Sequence, residues 1–321
     1  MESGYLVQSL KHLHTEQSDT RYANLDISDT TDILIMMNEA DHTVPAVVGQ
    51  ALSSVAMAVE VIVKAMKQGG RLIYMGAGSS GRLGVLDAAE CPPTFGTSAE
   101  QVQGLIAGGR SSMFRAVEDA EDRVDSAQAD LQSIHLTERD VVVGITASGR
   151  TPYVLGGLTY ASQLGSATVA LCCNLNAEAS RLADVAIEVD TGPEVLMGST
   201  RLKAGTAEKL IVNMLSTAAM VRMGKVYRNL MVDLKVTNEK LEERAIRILM
   251  LAAEIDYANA ERLLQEADGH VKTAIVMARK GVVKDVAEQF LAAVNGFLRV
   301  ALHEVDALES STSGSLSAGF R

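Results

Sequence analysis

The chain of 321 residues carries 29 basic against 40 acidic side chains, a formal net charge of −11, with 47% hydrophobic residues and no tryptophan. On average such a surface repels nucleic acid and anionic membrane, and an aromatic content of 4% offers few platforms for stacking bases. It leaves room for an anionic metabolite, because converging backbone N–H groups count for more locally than global charge does.

The apolar runs are too short or too interrupted to span a bilayer; the stretch from Val44 to Met66 contains Gln50, Ser53, Ser54, Glu60 and Lys64. The N-terminus, with Glu2, Lys11, His12 and Glu16, lacks the basic-then-apolar order of a secretion signal. Cys91, Cys172 and Cys173 form no C-x-x-C unit and read as reduced thiols of a cytoplasmic protein.

In chain order, apolar spacing predicts a helix from Ile27 to Glu39 and one long helix from Val44 to Lys67, stopped by Gly69-Gly70. A strand follows at Arg71–Gly76. Further strands are expected at Val102–Ala107, Val141–Ile145, Ala167–Cys172 and Val185–Val189, with helices at Tyr153–Leu164 and Leu202–Met223 between or after them. Near-continuous Val/Ile/Leu strands separated by helices predict an α/β fold, a three-layer parallel sheet flanked by helices. Beyond Asn238 only helix-length segments remain. The expected division is an N-terminal helical arm (1–42), an α/β domain (43–238), a small C-terminal helical domain (239–305) and a flexible Ser/Gly-rich tail (306–321).

Two turns share one design. Gly76-Ala77-Gly78-Ser79-Ser80-Gly81-Arg82 and Thr146-Ala147-Ser148-Gly149-Arg150-Thr151-Pro152 each follow a strand and open a helix. Small residues, hydroxyls and a fresh helix N-terminus suit a phosphoryl group, with Ser79, Ser80, Thr146, Ser148, Gly149 and Thr151 as candidate contacts. The alternative reading of either turn alone is a tight strand–helix connection with capping hydroxyls, which two such turns within one sheet disfavour. The first matches a loose G-x-G-x-x-G string, but no ribose-binding acid is placed for a dinucleotide, and the Gly-Lys-Ser/Thr of a P-loop is absent.

Sugar elimination or isomerisation needs proton carriers. Glu90 stands before Cys91-Pro92-Pro93, which are expected to end the helix Leu83–Ala89. Glu121 lies in the acidic run Glu118–Asp122 and, taken alone, reads as a solvated surface acid. His12 and His14 could flank the pocket. His42, His135, His270 and His303 stand in unrelated segments and assemble no metal site.

The stretches Gly70–Gly84, Leu86–Thr94, Gly104–Gly109, Asp140–Tyr153, Arg201–Ala207 and Asn229–Asp233 closely resemble the N-acetylmuramic acid 6-phosphate etherase family, over about Leu25 to His303. The resemblance implies a sugar isomerase-type phosphosugar-binding domain with a C-terminal helical module. It also implies a cytoplasmic homodimer that cleaves the D-lactyl ether of an anionic phosphosugar without cofactor, metal or nucleotide. The family's acid–base glutamates match Glu90 and Glu121, which reverses the surface reading of Glu121. Its phosphate-binding hydroxyls match Ser80, Thr146, Ser148 and Thr151. A phosphosugar isomerase and a non-catalytic sugar-phosphate sensor are the alternative readings.

Overall fold

The computed structural model describes residues 12–302 except 116 and 237; the expected tail, residues 303–305 and the first eleven residues of the arm lie outside the described residues. Five strands form one parallel sheet in the order β2-β1-β3-β4-β5: β1 Leu72–Gly76, β2 Val102–Ile106, β3 Val141–Thr146, β4 Ala167–Cys172 and β5 Val185–Glu188. β1 and β3 are buried along their whole length, as expected of strands covered on both faces. Ile73 and Met75 face a cluster with Ala127, Leu131, Val154 and Leu158, from α5 (Val124–Ser133) and α6 (Pro152–Leu164). Tyr74 points to the other face, where its hydroxyl donates to the Val212 carbonyl of α7 (Lys203–Arg222) at 3.2 Å.

Ahead of the sheet run α1 (Thr30–Asp41), α2 (Val44–Gln50) and α3 (Leu52–Lys67). The single long helix expected over Val44–Lys67 is broken at Ala51, whose ψ of 1° leaves the helical region, and the segments Thr30–Gln50 and Leu52–Lys67 are bent by 61° there. Neither proline nor glycine stands at the break. The bend lets Val44 and Val48 before it and Val55 and Ile62 after it all be buried, so packing overrides a periodicity that reads as continuous.

A second difference concerns α4, which spans Gly78–Phe95 with Pro92 and Pro93 inside it. The prolines were expected to stop the helix near Glu90. They instead deprive the carbonyls of Ala88 and Ala89 of their i+4 donors while the turn continues, closed by the Gly96 N–H donating to Pro92 O at 3.0 Å. Phe95, at 6% exposure, rewards the extra turn with burial.

Contacts divide the chain into two compact units: Ser98–Ala219 with the described residues up to Glu90, and Cys91–Thr97 with the described residues from Met220 on. The second holds α8 (Glu239–Ala253), α9 (Tyr257–Glu266), α10 (Val271–Lys280), α11 (Lys284–Ala293) and α12 (Leu298–Ala301). They close around Leu249, Leu264, Ile275, Val276 and Leu298. In this unit Asp233 is paired with Lys272 at 2.6 Å and Lys225 at 3.2 Å.

Backbone meets backbone closely where β1 hands over to α4. A Cβ on Gly81 would sit 2.5 Å from the Gly76 carbonyl oxygen and 2.8 Å from Ile106 Cγ1. Gly81→Ala should therefore force backbone apart and cost about 1–3 kcal/mol. Gly49→Ala, with nothing within 4 Å of the added carbon, should be neutral or slightly stabilising. Urea melts read both: the Gly81 variant should lower the midpoint at unchanged slope.

Candidate active site

Parallel strands deliver their C-terminal ends to one edge, and the two candidate turns follow the neighbouring strands β1 and β3 there, with Gly76 in register with Ile145. In the first turn Gly78 takes a φ of 52°, and the Gly81 N–H is the first to bond back, to Ala77 O at 3.1 Å. Among the described residues the N–H groups of Gly78, Ser79 and Ser80 have no backbone acceptor, which is the donor set a helix start offers an anion. Ser79 is half-buried. Ser80 is buried, and its hydroxyl donates to Glu208 Oε1 at 2.8 Å.

The second turn gathers its hydroxyls. Thr146 Oγ1 lies 2.8 Å from Thr151 Oγ1 and 3.4 Å from Ser148 Oγ, and it accepts the Gly149 N–H at 3.1 Å. Gly149 has φ 74°, and a Cβ there would collide with Ala177 Cβ, so glycine is required by both conformation and space. Ala147 O is held by the Cys173 N–H at 3.0 Å and Asn174 Nδ2 at 2.9 Å. Asn174 also donates to Thr15 Oγ1 at 2.9 Å, which fastens the N-terminal segment to the back of the turn. His14, beside it, bonds Asp190 at 2.8 Å.

Glu121 follows a single 3-10 turn at Glu118–Ala120. Its carbonyl accepts the Tyr153 N–H at 2.9 Å, tying it to the start of α6 immediately after Thr151. Glu121 is exposed and lines a pocket of about 360 Å³ with Ala77, Gly78, Arg82 and Ser112. Its backbone is thus tied beside the second turn while the residue lines a pocket with the first. Desolvation at the pocket wall, with a smaller push from the Asp122 carboxylate, raises the Glu121 pKa above the ordinary glutamate value. Arg82 is clamped across the same pocket, donating from Nη2 to Ser112 O at 2.7 Å and from Nε to Met113 O at 3.1 Å.

Glu90 does not line this pocket. It is exposed on α4, twelve residues beyond Gly78, which at a helical rise of 1.5 Å per residue is about 18 Å along the axis. One chain therefore brings Thr146, Ser148, Gly149 and Thr151 together and stands Glu121 beside them, but leaves Glu90 apart.

Glu208 went unnoticed in the sequence. It is 1% exposed on α7, and burial pushes its carboxyl up to about 8, only partly opposed by the Ser80 hydroxyl. Its Oε2 has no partner among the described residues. A signal existed: Glu208 falls on the i, i+3, i+4 face defined by Ala204, Ala207, Ile211 and Leu215, all buried.

Residues 115–218 match the SIS domain, and residues 54–162 match the glucokinase regulatory protein N-terminal SIS domain. An N-acetylmuramic acid 6-phosphate etherase from Halalkalibacterium halodurans is 57% identical over 92% of this chain and 100% of its own length. Relatives of the same name from Mycolicibacterium smegmatis and Clostridioides difficile are 53% and 48% identical, covering 91% and 94% of this chain and 98% and 100% of their own lengths. The chain belongs to the N-acetylmuramic acid 6-phosphate etherase family. Among solved structures, a phosphoheptose isomerase from Francisella tularensis shares 16% identity over 60% of this chain and all of its own, with a TM-score of 0.47.

The buried Glu208 makes a testable statement about pH. A carboxyl that holds its proton up to about 8 when folded but releases it near the ordinary value when unfolded makes the folded state the better proton binder. Stability should fall as pH rises from about 4.5 to 8 and level off above. Glu208→Gln, which keeps an acceptor for Ser80 and cannot ionise, should flatten that slope, with denaturant melts at pH 5 and pH 8 as the measurement. Equal slopes for parent and variant would mean that Glu208 is charged in the fold.

Proposed function

We propose that this chain cleaves the D-lactyl ether of N-acetylmuramic acid 6-phosphate, giving N-acetylglucosamine 6-phosphate and D-lactate. The near full-length identity to etherases carries the reading. The pocket that sets one ionisable carboxyl beside the first anion-type turn supports it. The phosphate lies against the hydroxyls of Thr146, Ser148 and Thr151 and the free N–H groups around Gly78, Ser79 and Ser80. The three buried thiols suit a reducing cytoplasm.

The opened sugar has an aldehyde that acidifies the C2 hydrogen. Glu121 takes that proton, and its raised pKa brings the base nearer neutral pH, where proton transfer is more efficient. Glu90 protonates the lactate oxygen as the C3–O bond breaks, because an alkoxide leaves poorly unaided. Water then adds at C3 of the unsaturated aldehyde and the ring closes. Since Glu90 stands exposed well along α4 from its own pocket, it serves the pocket of a second copy, and the working unit is a homodimer.

Replacing Ser148 and Thr151 together by alanine should weaken phosphosugar binding by about 1.5–3 kcal/mol per lost charged hydrogen bond, less what the backbone donors retain, with little change in melting. Calorimetric titration checks it, and unchanged affinity would remove the turn from the site.

Glu121→Gln should suppress both C2 hydrogen exchange and D-lactate release by about 10²–10⁴-fold. Glu90→Gln should retain detectable C2 exchange while releasing little lactate. Substrate deuterated at C2, followed by NMR alongside a coupled lactate assay, separates the two roles. Mixing the two inactive variants under conditions of subunit exchange should restore turnover, since a mixed dimer has one pocket with both glutamates. Lactate release at the parent rate by both single variants would defeat the assignment.

A further inference from the structure

Beside the Glu121 pocket, across the first turn of α4, lies a second hollow of about 410 Å³. Its wall includes Ser79, Arg82, Arg201, Thr206 and Lys209, with no carboxylate among the described residues that line it. In a chain of net charge −11, three cations around one hollow form a local excess that invites an anion. Asp87, whose carboxylate feels Lys209 electrostatically, is buried and turned to Asn213 Nδ2 at 2.7 Å and Ser216 Oγ at 3.1 Å.

The two hollows share Arg82. Its Nε and Nη2 are spent on the carbonyls of Ser112, Met113 and Arg115, which fixes the guanidinium, while no described residue accepts from Nη1. The start of α7 offers nothing further. The Lys203 and Ala204 N–H groups donate to the Glu194 carboxylate at 3.0 Å each, and the next two donate to Thr200 O and Leu202 O. Apart from the Ser79 N–H, assigned above to the phosphate, recognition in this hollow falls to side chains, and guanidinium and ammonium groups bind carboxylates.

The proposed substrate carries two anions: the 6-phosphate, and a carboxylate on the lactyl ether at C3, one carbon from the proton that Glu121 removes. We infer that Arg201 and Lys209, with the free edge of Arg82, form the subsite for the lactyl carboxylate. The inference rests on the function proposed above and adds to it the source of discrimination: a sugar phosphate without the lactyl acid leaves this hollow empty. Holding the carboxylate also orients the C3–O bond for departure, so these residues act on binding and positioning and move no proton.

The test compares kcat/KM for N-acetylmuramic acid 6-phosphate and for its lactamide, in which a neutral carboxamide replaces the acid. The parent should prefer the acid by about 10- to 100-fold. The Arg201→Gln, Lys209→Gln double variant should lower kcat/KM for the acid to near that of the amide and leave the amide almost unchanged. Both side chains are exposed, so folding should persist. A double variant that lowers both substrates equally, or neither, overturns the subsite. If the parent releases no D-lactate at all, the lyase reading fails instead. The hollow is then judged by saturation-transfer NMR with free D-lactate: loss of its signal in the double variant supports the carboxylate site, and an equal signal refutes it.

Discussion

The candidate site depends on one close crossing of backbone. The end of β1 and the first turn of α4 approach so nearly that neither Gly76 nor Gly81 has room for a Cβ; the one on Gly76 would lie 2.8 Å from Gly81 N and 2.9 Å from Ile145 O. That approach lays the helix start directly over the strand end. It puts Gly78 and Arg82 at the pocket wall and leaves the first N–H groups of α4 without backbone partners. A wider turn would carry the helix away from β3, and the second hydroxyl cluster would lose its neighbour. The same crossing fixes Arg82, whose side chain belongs to both hollows.

Around that crossing the polar groups divide into those already committed and those left over. Ser80 spends its hydroxyl on a buried acid, Asn174 spends its amide on the turn carbonyl and Thr15, and Glu194 caps α7. These interactions hold the frame and are satisfied inside it. Glu121 and the Nη1 of Arg82 are left facing open space, and Thr146, Ser148 and Thr151 answer chiefly to one another. Hydroxyls that bond chiefly to one another can turn to a ligand at little cost, because each exchanges one hydrogen bond for another.

Much of this was legible from the chain. Runs such as Val141–Ile145 and Ala167–Cys172 read as buried parallel strands because only such strands are apolar on successive residues, and both stand in the sheet. The two glycine and hydroxyl turns were visible for the same local reason. The break at Ala51 and the passage of α4 through Pro92 and Pro93 were not, since each goes against local preference and is decided by which side chains become buried. Glu121 read as a solvated acid and is indeed exposed; what its acidic neighbours in sequence did not show is that it lines one pocket with Gly78, Arg82 and Ala107.

The amino-acid sequence by itself determined the strand and helix alphabet, the two turns able to receive an anion and, through long shared motifs, the family. These are properties of residues within a few positions of one another, where periodicity and backbone freedom act directly. Tertiary structure alone decided which groups meet. It brought Glu208 under Ser80 from 128 positions away, put Glu121 and Arg82 on the wall of one pocket and kept Glu90 outside that pocket. Such meetings follow from the order in which strands pair and the faces on which helices pack, and no local spacing encodes them.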